Sequence, residues 1–119
     1  MQLMKTIALS GLAALLAAGC GGAAVPAGQL TDAKASIRAA EEVGAGTTPR
    51  AALHLKMARD QVAEAEALMS DGEGEAAWYA LRRAEADAEL ALALSREREM
   101  RQKAIQAKAK INELQLRAE

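Results

Sequence analysis

Few residues of this chain could take part in chemistry. It contains one cysteine, Cys20, and one histidine, His54, and its only aromatic side chains are Trp78 and Tyr79. One cysteine cannot form an internal disulfide, and one cysteine with one histidine leaves a zinc site short of ligands. The sequence also lacks a glycine-rich strand-to-helix loop that could hold a phosphate. We therefore expect no catalytic residues, no metal, no cofactor and no enzyme activity, with His54 as a partly exposed residue beside Leu55.

The sequence around Cys20 predicts a lipid attachment site. Lys5 is the only charged residue before Asp32, and an apolar run extends from residue 7 to residue 18. This run is too short to span a bilayer but suits the apolar region of a secretory signal. It ends in Leu16-Ala17-Ala18-Gly19-Cys20, which resembles the lipobox of bacterial lipoproteins. The resemblance implies cleavage before Cys20 and attachment of diacylglycerol to its thiol.

From this resemblance we predict a signal peptide over residues 1–19 and a lipidated Cys20 followed by a flexible tether up to residue 30. Palmitate is then an expected acyl group. Gly21 follows the cysteine, and by analogy with lipoprotein sorting signals it favours the periplasmic face of the outer membrane. The alternative is a buried helix in which Cys20 is only a small apolar residue. Gly19, Gly21 and Gly22 argue against this alternative because glycine disfavours helix.

The composition of the remaining chain predicts an all-α fold. About a quarter of the residues are alanine, phenylalanine is absent, and the other common residues are strong helix formers. The longest helix is expected to run without a break from Glu75 to the end of the chain. We predict an Ala-rich antiparallel helical hairpin or three-helix bundle over residues 31–95. The long C-terminal helix should project from it as an arm over residues 96–119.

Capping residues and glycines mark the boundaries of the two shorter helices. The first should begin at a cap formed by Thr31 or Asp32 and stop at Gly44-Ala45-Gly46. The second should begin with Thr48 as its cap and Pro49 in its first turn. Its stop is the segment 71–74, which contains two glycines.

Apolar residues at spacings of three and four predict how the helices pack. On the second helix these residues are Ala51, Leu55, Ala58, Val62, Ala65 and Met69. On the third helix they are Ala77, Leu81, Ala84, Ala88 and Ala91. Further leucines widen the apolar arc near residues 90–94. We expect one cluster that joins all three helices, formed by Ile37, Leu53, Met57, Leu90, Leu92 and Leu94.

The arm has its own sparse apolar stripe. The stripe consists of Met100, Ala104, Ala107, Ile111 and Leu114, and we predict that it contacts a partner. Ion pairs at a spacing of four residues should support the solvated helix; they are Glu97/Arg101, Glu99/Lys103 and Glu113/Arg117. The tether should place the lipid nearer the turn at Gly72, so that the arm points away from the membrane.

Positive and negative charges are balanced overall but unevenly distributed along the chain. The 15 basic and 16 acidic residues give no bulk attraction to nucleic acid, which is not an expected partner. Residues 60–75 hold six acids and no base, whereas residues 96–119 hold seven bases and four acids. This pattern fits either ordinary solvated helix faces or a basic arm that meets an acidic partner. Trp78 and Tyr79 fit either an apolar plug of the hairpin end or a contact with lipid or a partner.

Across residues 29–95, the chain resembles the bacterial lipoproteins that carry the domain of unknown function 4398 (DUF4398). The likeness rests on the lipobox, the short helix ending at Gly44, the helix started by Pro49, and the repeated alanines around residues 58–65 and 84–91. It implies a helical fold and an envelope location and supplies no site residues. Some proteins of this kind continue into an OmpA-like domain. None is present up to Glu119, so direct peptidoglycan binding is not expected.

Two functions remain open from the sequence. The first is a non-enzymatic, lipid-anchored envelope protein that acts as a helical spacer or adaptor, with another envelope protein or a second copy of itself as partner. The alternative is a periplasmic binding or carrier module for an apolar ligand or client. A carrier needs a cavity of about 300 Å³ or more, whereas closely packed alanine faces leave none.

Overall fold

A computed structural model describes residues 24–118, which form three α-helices. Helix α1 spans Gln29–Glu42, α2 spans Pro49–Ser70 and α3 spans Gly74–Ala118, with a short 3₁₀ turn at Ala45–Thr47. The predicted all-α fold with a long C-terminal helix is confirmed. The predicted signal peptide and Cys20 lie outside the described residues. Among residues 24–118, none of the helices combines the length and hydropathy that a bilayer-spanning segment requires.

Glycines make the turns between the helices. Gly72 adopts a φ of 79°, a left-handed conformation that other residues disfavour. The amide of Glu73 donates to the carbonyl of Leu68 (2.8 Å) and the amide of Gly72 donates to that of Met69 (3.2 Å). This pair of hydrogen bonds is a Schellman motif, which closes α2 and reverses the chain into α3. Gly44, with a φ of 77°, has the corresponding role after α1.

Helix α1 begins earlier than the sequence predicted. Gly28, with a φ of 104°, occupies the cap position, and its carbonyl accepts the first helical hydrogen bond, from the amide of Asp32 (2.8 Å). The expected caps Thr31 and Asp32 were wrong, because both lie inside the first turn. Gln29 and Leu30, which the sequence assigned to the tether, therefore belong to α1.

Interhelical polar contacts establish the directions of the helices. Lys34 pairs with Glu66 and Glu41 pairs with Arg59, so α1 runs antiparallel to α2. Glu64 pairs with Arg83 and His54 pairs with Asp87, so α2 runs antiparallel to α3. Helix α1 consequently runs parallel to α3, and it packs more extensively on α3 than on α2.

The buried surface between the helices is an alanine seam. All of its apolar residues except Ile37, Leu55, Val62 and Leu81 are alanine. The predicted stripe residues of α3 are all fully buried, as are Ala51, Ala58 and Ala65 of α2. Alanine lets two backbones approach to near the lower end of the usual 8–10 Å range. Leu81 is the largest side chain that is completely enclosed.

The predicted apolar cluster is wrong for three of its six members. Leu53 is 56% exposed, Met57 38% and Leu90 41%, whereas Ile37 is buried in the core and Leu92 and Leu94 are partly buried against that core. Leu53 follows Ala51 by two residues, which places it about 200° around the helix from the seam. Helix α1 docks largely on α3 and leaves this outer face of α2 in solvent. Met69 was also wrongly assigned to the core and is 40% exposed, since the chain leaves the seam there for the Gly72 turn.

Candidate docking surface

The arm extends from the bundle as a continuation of α3. Residues 96–118 are helical and exposed, with Glu113 alone half-exposed, so the predicted projection is confirmed. At 1.5 Å per residue, the arm is about 35 Å long. Every residue of the predicted stripe is exposed, with exposed fractions of 57% for Met100, 55% for Ile111 and 53% for Leu114.

Two further apolar residues of the arm were missed from the sequence. Ile105 is 64% exposed and Leu116 is 75% exposed. They lie roughly 150° around the helix from the stripe, so they belong to a separate face. Their spacing from Ala91 and Ser95 continues the register of the seam, and this was the signal that could have identified them.

Ion pairs cover the sides of the arm. The three predicted pairs are present: Glu97 with Arg101, Glu99 with Lys103 and Glu113 with Arg117. Glu113 also pairs with Lys110 at 3.0 Å. The hydrogen bond and the positive charge from Lys103 lower the pKa of the Glu99 carboxyl. Because a lowered carboxyl pKa favours the folded helix only while the group is ionised, this support is lost as the pH falls through that pKa.

Arg98 fixes the base of the arm. Its Nη1 donates to the carbonyl of Thr47 (3.0 Å) and to the hydroxyl of Thr48 (2.9 Å). Thr48 occupies the cap position of α2, as predicted, although its side chain makes no capping hydrogen bond. The hydroxyl accepts from Arg98 and thereby ties the start of α2 to α3. An open depression of about 350 Å³ lies beside this contact, between Pro49 and Leu94.

Trp78 and Tyr79 lie at the opposite end of the bundle from the arm. Their rings meet edge to face, with centroids 4.9 Å apart and planes at 74°. Trp78 is half-buried, whereas Tyr79 is 56% exposed. The chain that leads into α1 reaches this end, because Ala24 and Pro26 line a second depression of about 350 Å³ with the two aromatics. The alanine seam lines neither of these depressions.

A polar network that the sequence did not predict joins α2 to α3. His54 Nδ1 lies 2.8 Å from Asp87 Oδ1, and Gln61 Nε2 donates to Asp87 Oδ2 at 2.9 Å. The side chains of His54 and Asp87 are 23% and 16% exposed, so His54 is partly exposed as predicted. The side-chain oxygen of Gln61, Oε1, is buried without a partner. Asp87 is therefore the acceptor for Gln61 Nε2 and the partner of His54 Nδ1 at once, with one carboxylate oxygen for each.

We expect Asp87→Ala to lower the free energy of unfolding by about 1–3 kcal/mol, because it leaves His54 and Gln61 without their shared acceptor at a largely buried site. Urea denaturation followed by circular dichroism measures this change. Glu89→Ala is the matched control, since Glu89 is exposed on the same helix. Equal midpoints for the two variants would contradict a stabilising role for the network.

Within residues 24–118, no group of three or more His, Cys, Asp or Glu side chains is arranged to hold a metal ion. His54 forms a hydrogen bond with Asp87, and Asp87 also accepts a hydrogen bond from Gln61. In the described part of the chain, the arm with its stripe is the candidate docking surface, and Tyr79, Leu53 and Met57 are further exposed apolar side chains on the bundle.

Comparison with known proteins gives a family match that covers the arm as well as the bundle. The family model described as Domain of unknown function (DUF4398) matches residues 28–116. No curated protein and no solved structure matches the chain. The matched range is wider than the 29–95 expected from the sequence, so the arm is part of the family's domain.

Proposed function

The chain belongs to the DUF4398 family, and from that premise we propose that it is a non-enzymatic, lipid-anchored envelope protein whose arm docks a partner. In this proposal Cys20 carries the lipid at the periplasmic face of the outer membrane. The bundle acts as a spacer, and the stripe of the arm makes the partner contact. The single observation that carries the proposal is the arm itself, a helix of about 35 Å whose exposed apolar residues lie beyond the contact of Arg98 with Thr47 and Thr48.

The places where the chain enters the bundle and where α3 leaves it support an adaptor function. Pro26 lies beside Trp78 near the start of α3, whereas the arm begins after Ser95. About 25 Å of helix separates Trp78 from Ser95, and the arm adds its own length beyond that point. A lipid at Cys20 and a partner on the arm would therefore sit at opposite ends of the molecule.

The energetics of the arm also support a docking role. Most helical stability in proteins comes from packing of an apolar face, and the surface ion pairs of the arm contribute only about 0.2–0.5 kcal/mol each. The bundle does not cover its apolar residues. Burial of Met100, Ile111 and Leu114 against a partner would add hydrophobic stabilisation that the isolated chain lacks.

The test is deletion of residues 100–119 combined with crosslinking in intact envelopes. We expect the thermal midpoint of the bundle to stay nearly unchanged, because these residues make no part of the seam, and the crosslinked complex to disappear. The matched control is the double variant Leu53→Gln/Met57→Gln, which removes exposed apolar residues from the bundle and should keep the complex. A truncated chain that unfolds, or that keeps its crosslinks, overturns the proposal.

A further inference from the structure

The flanks of the stripe carry one sign of charge. The stripe runs along the arm from Met100 to Leu114 at alternating steps of four and three, as in one helix of a coiled coil. On each side of it, within about 100° around the helix, the neighbouring positions are basic or neutral. One flank consists of Arg101, Lys108 and Gln115, and the other consists of Lys103, Lys110 and Arg117. All six residues are exposed.

The acids of the arm do not change this arrangement. Glu113 lies farther around the helix, on the side away from the stripe, and pairs with Lys110 and Arg117. Glu99 pairs with Lys103 and lies before the first residue of the stripe. Glu97, which pairs with Arg101, lies before the first residue of the stripe. The side chains in these pairs are mostly more than half exposed, so the pairs are weak and can exchange for a partner's carboxylates.

A second copy of the arm is a poor binding partner for the stripe. In a parallel coiled coil, each of the two flanks of one helix faces the other flank of the second helix. In an antiparallel coiled coil, each flank faces the same flank of the second helix. Either arrangement of two arms would set Lys103 and Lys110 against other bases or Gln115, and the antiparallel arrangement would also set Arg117 against a base. Like charges placed together at an interface are unfavourable, so the flanks select against self-pairing.

A lipid surface fits the arm less well than a helix does. Helices that lie in a membrane interface bury a broad apolar face and leave a polar face in water. Here the stripe contains alanine at two of its five positions, and the far side of the helix would leave Ile105 and Leu116 in water. Ala104 and Ala107 instead allow the close approach of another backbone.

We propose that the arm docks an acidic α-helix of another protein, one whose apolar stripe is flanked by Asp and Glu. The two helices would form a short heteromeric coiled coil over Met100–Leu114. This inference rests on the proposed adaptor function and names the class of partner that the arm takes.

Two designed three-heptad peptides test the inference. Both carry leucine at the two core positions, and they differ only in having glutamate or lysine at the flanking positions. Binding of each peptide to the full chain in a nonionic detergent is measured by fluorescence anisotropy at two salt concentrations. We expect the acidic peptide to bind at least about tenfold more tightly than the basic peptide, with an affinity that falls as salt rises.

Variants on the two faces of the arm provide the matched comparison. Ile111→Gln/Leu114→Gln should weaken binding of the acidic peptide at least about tenfold, because it removes buried apolar contacts. Ile105→Gln/Leu116→Gln removes the same kind of side chain from the opposite face and should change binding by less than about twofold. The triple reversal Lys103→Glu/Lys110→Glu/Arg117→Glu should shift the preference toward the basic peptide.

Three results would overturn the inference. The first is equal binding of the two peptides, or equal effects of the two double variants. The second is a dimer of the full chain, detected by sedimentation, that Ile111→Gln/Leu114→Gln dissociates; a second copy would then be the occupant. The third is failure of the acidic peptide to bind together with slower amide exchange over residues 100–114 in phosphatidylcholine vesicles that contain phosphatidylglycerol, but not in phosphatidylcholine alone.

The adaptor function and the acidic-helix inference fail in different ways. If deletion of residues 100–119 leaves all envelope crosslinks in place, the adaptor function is wrong. If the deletion removes a crosslinked partner but the acidic peptide does not bind, the adaptor function stands and the class of partner is wrong.

Discussion

Replacing Leu81 with aspartate is expected to unfold the bundle. Leu81 is the largest completely enclosed side chain, and its neighbours along the seam are mostly alanines without polar groups. Loss of a buried leucine alone costs about 2–5 kcal/mol, and an unpaired buried carboxylate adds several more. The total is about as large as the 5–15 kcal/mol that stabilises a typical domain. Circular dichroism at 222 nm should show the loss of most of the helical signal at 25 °C.

Leu90→Asp is the control for this experiment. Leu90 lies on the same helix and is 41% exposed, so its carboxylate can remain in water. We expect this variant to keep its helical signal and to lose less than about 1 kcal/mol of stability. Leu81→Ala should fall between the two, because it leaves a cavity without burying a charge. Similar unfolding midpoints for Leu81→Asp and Leu90→Asp would contradict the seam described for α3.

Cys20→Ser is expected to release the protein from the membrane or to leave its precursor uncleaved. Lipid chains contribute about 0.8 kcal/mol per buried CH₂, so two or three of them hold a protein on a bilayer, whereas no helix of residues 24–118 can span one. The serine hydroxyl keeps the size of the thiol but removes its reactivity. Fractionation of envelopes and intact-mass measurement of the wild-type and variant chains test this expectation.

Circular dichroism supplies the control for the Cys20 variant. The described fold begins after Cys20, so the helical signal and the thermal midpoint of Cys20→Ser should match those of the wild type. A mature wild-type protein whose Cys20 is a free thiol would refute the lipid anchor. The adaptor function would then lose the geometry that places its two attachments at opposite ends.

The sequence predicted the parts of this fold that depend on local pattern. The steps of three and four that placed Ala84 and Ala88 in the seam are set within one helix, and so are the ion pairs of the arm. The glycine that stops α2 acts through its own φ angle. The candidate docking surface was likewise predictable, because it follows from helix length and from the absence of a facing helix.

The errors arose where the outcome depends on how two helices are set against each other. Leu53 belongs to an apolar arc, but no pattern within α2 shows on which side α1 docks. The hydrogen bond that the Thr48 hydroxyl accepts was not predicted, because its donor Arg98 is 50 residues away. His54 and Asp87 are 33 residues apart and meet only because of the register between α2 and α3.

The uninterrupted course of α3 has a mechanical consequence. Neither glycine nor proline occurs between Glu75 and Ala118, so the helix offers no hinge between the seam and the arm. Helix α1 runs parallel to α3 beside it, with Gln29 near Glu85 and with Thr47, in the turn that follows α1, near Arg98. Tension between an anchor ahead of α1 and a partner on the arm would pull these two helices along their axes in opposite directions. The load would then act in shear on the contacts between α1 and α3 together, rather than peeling them apart one at a time.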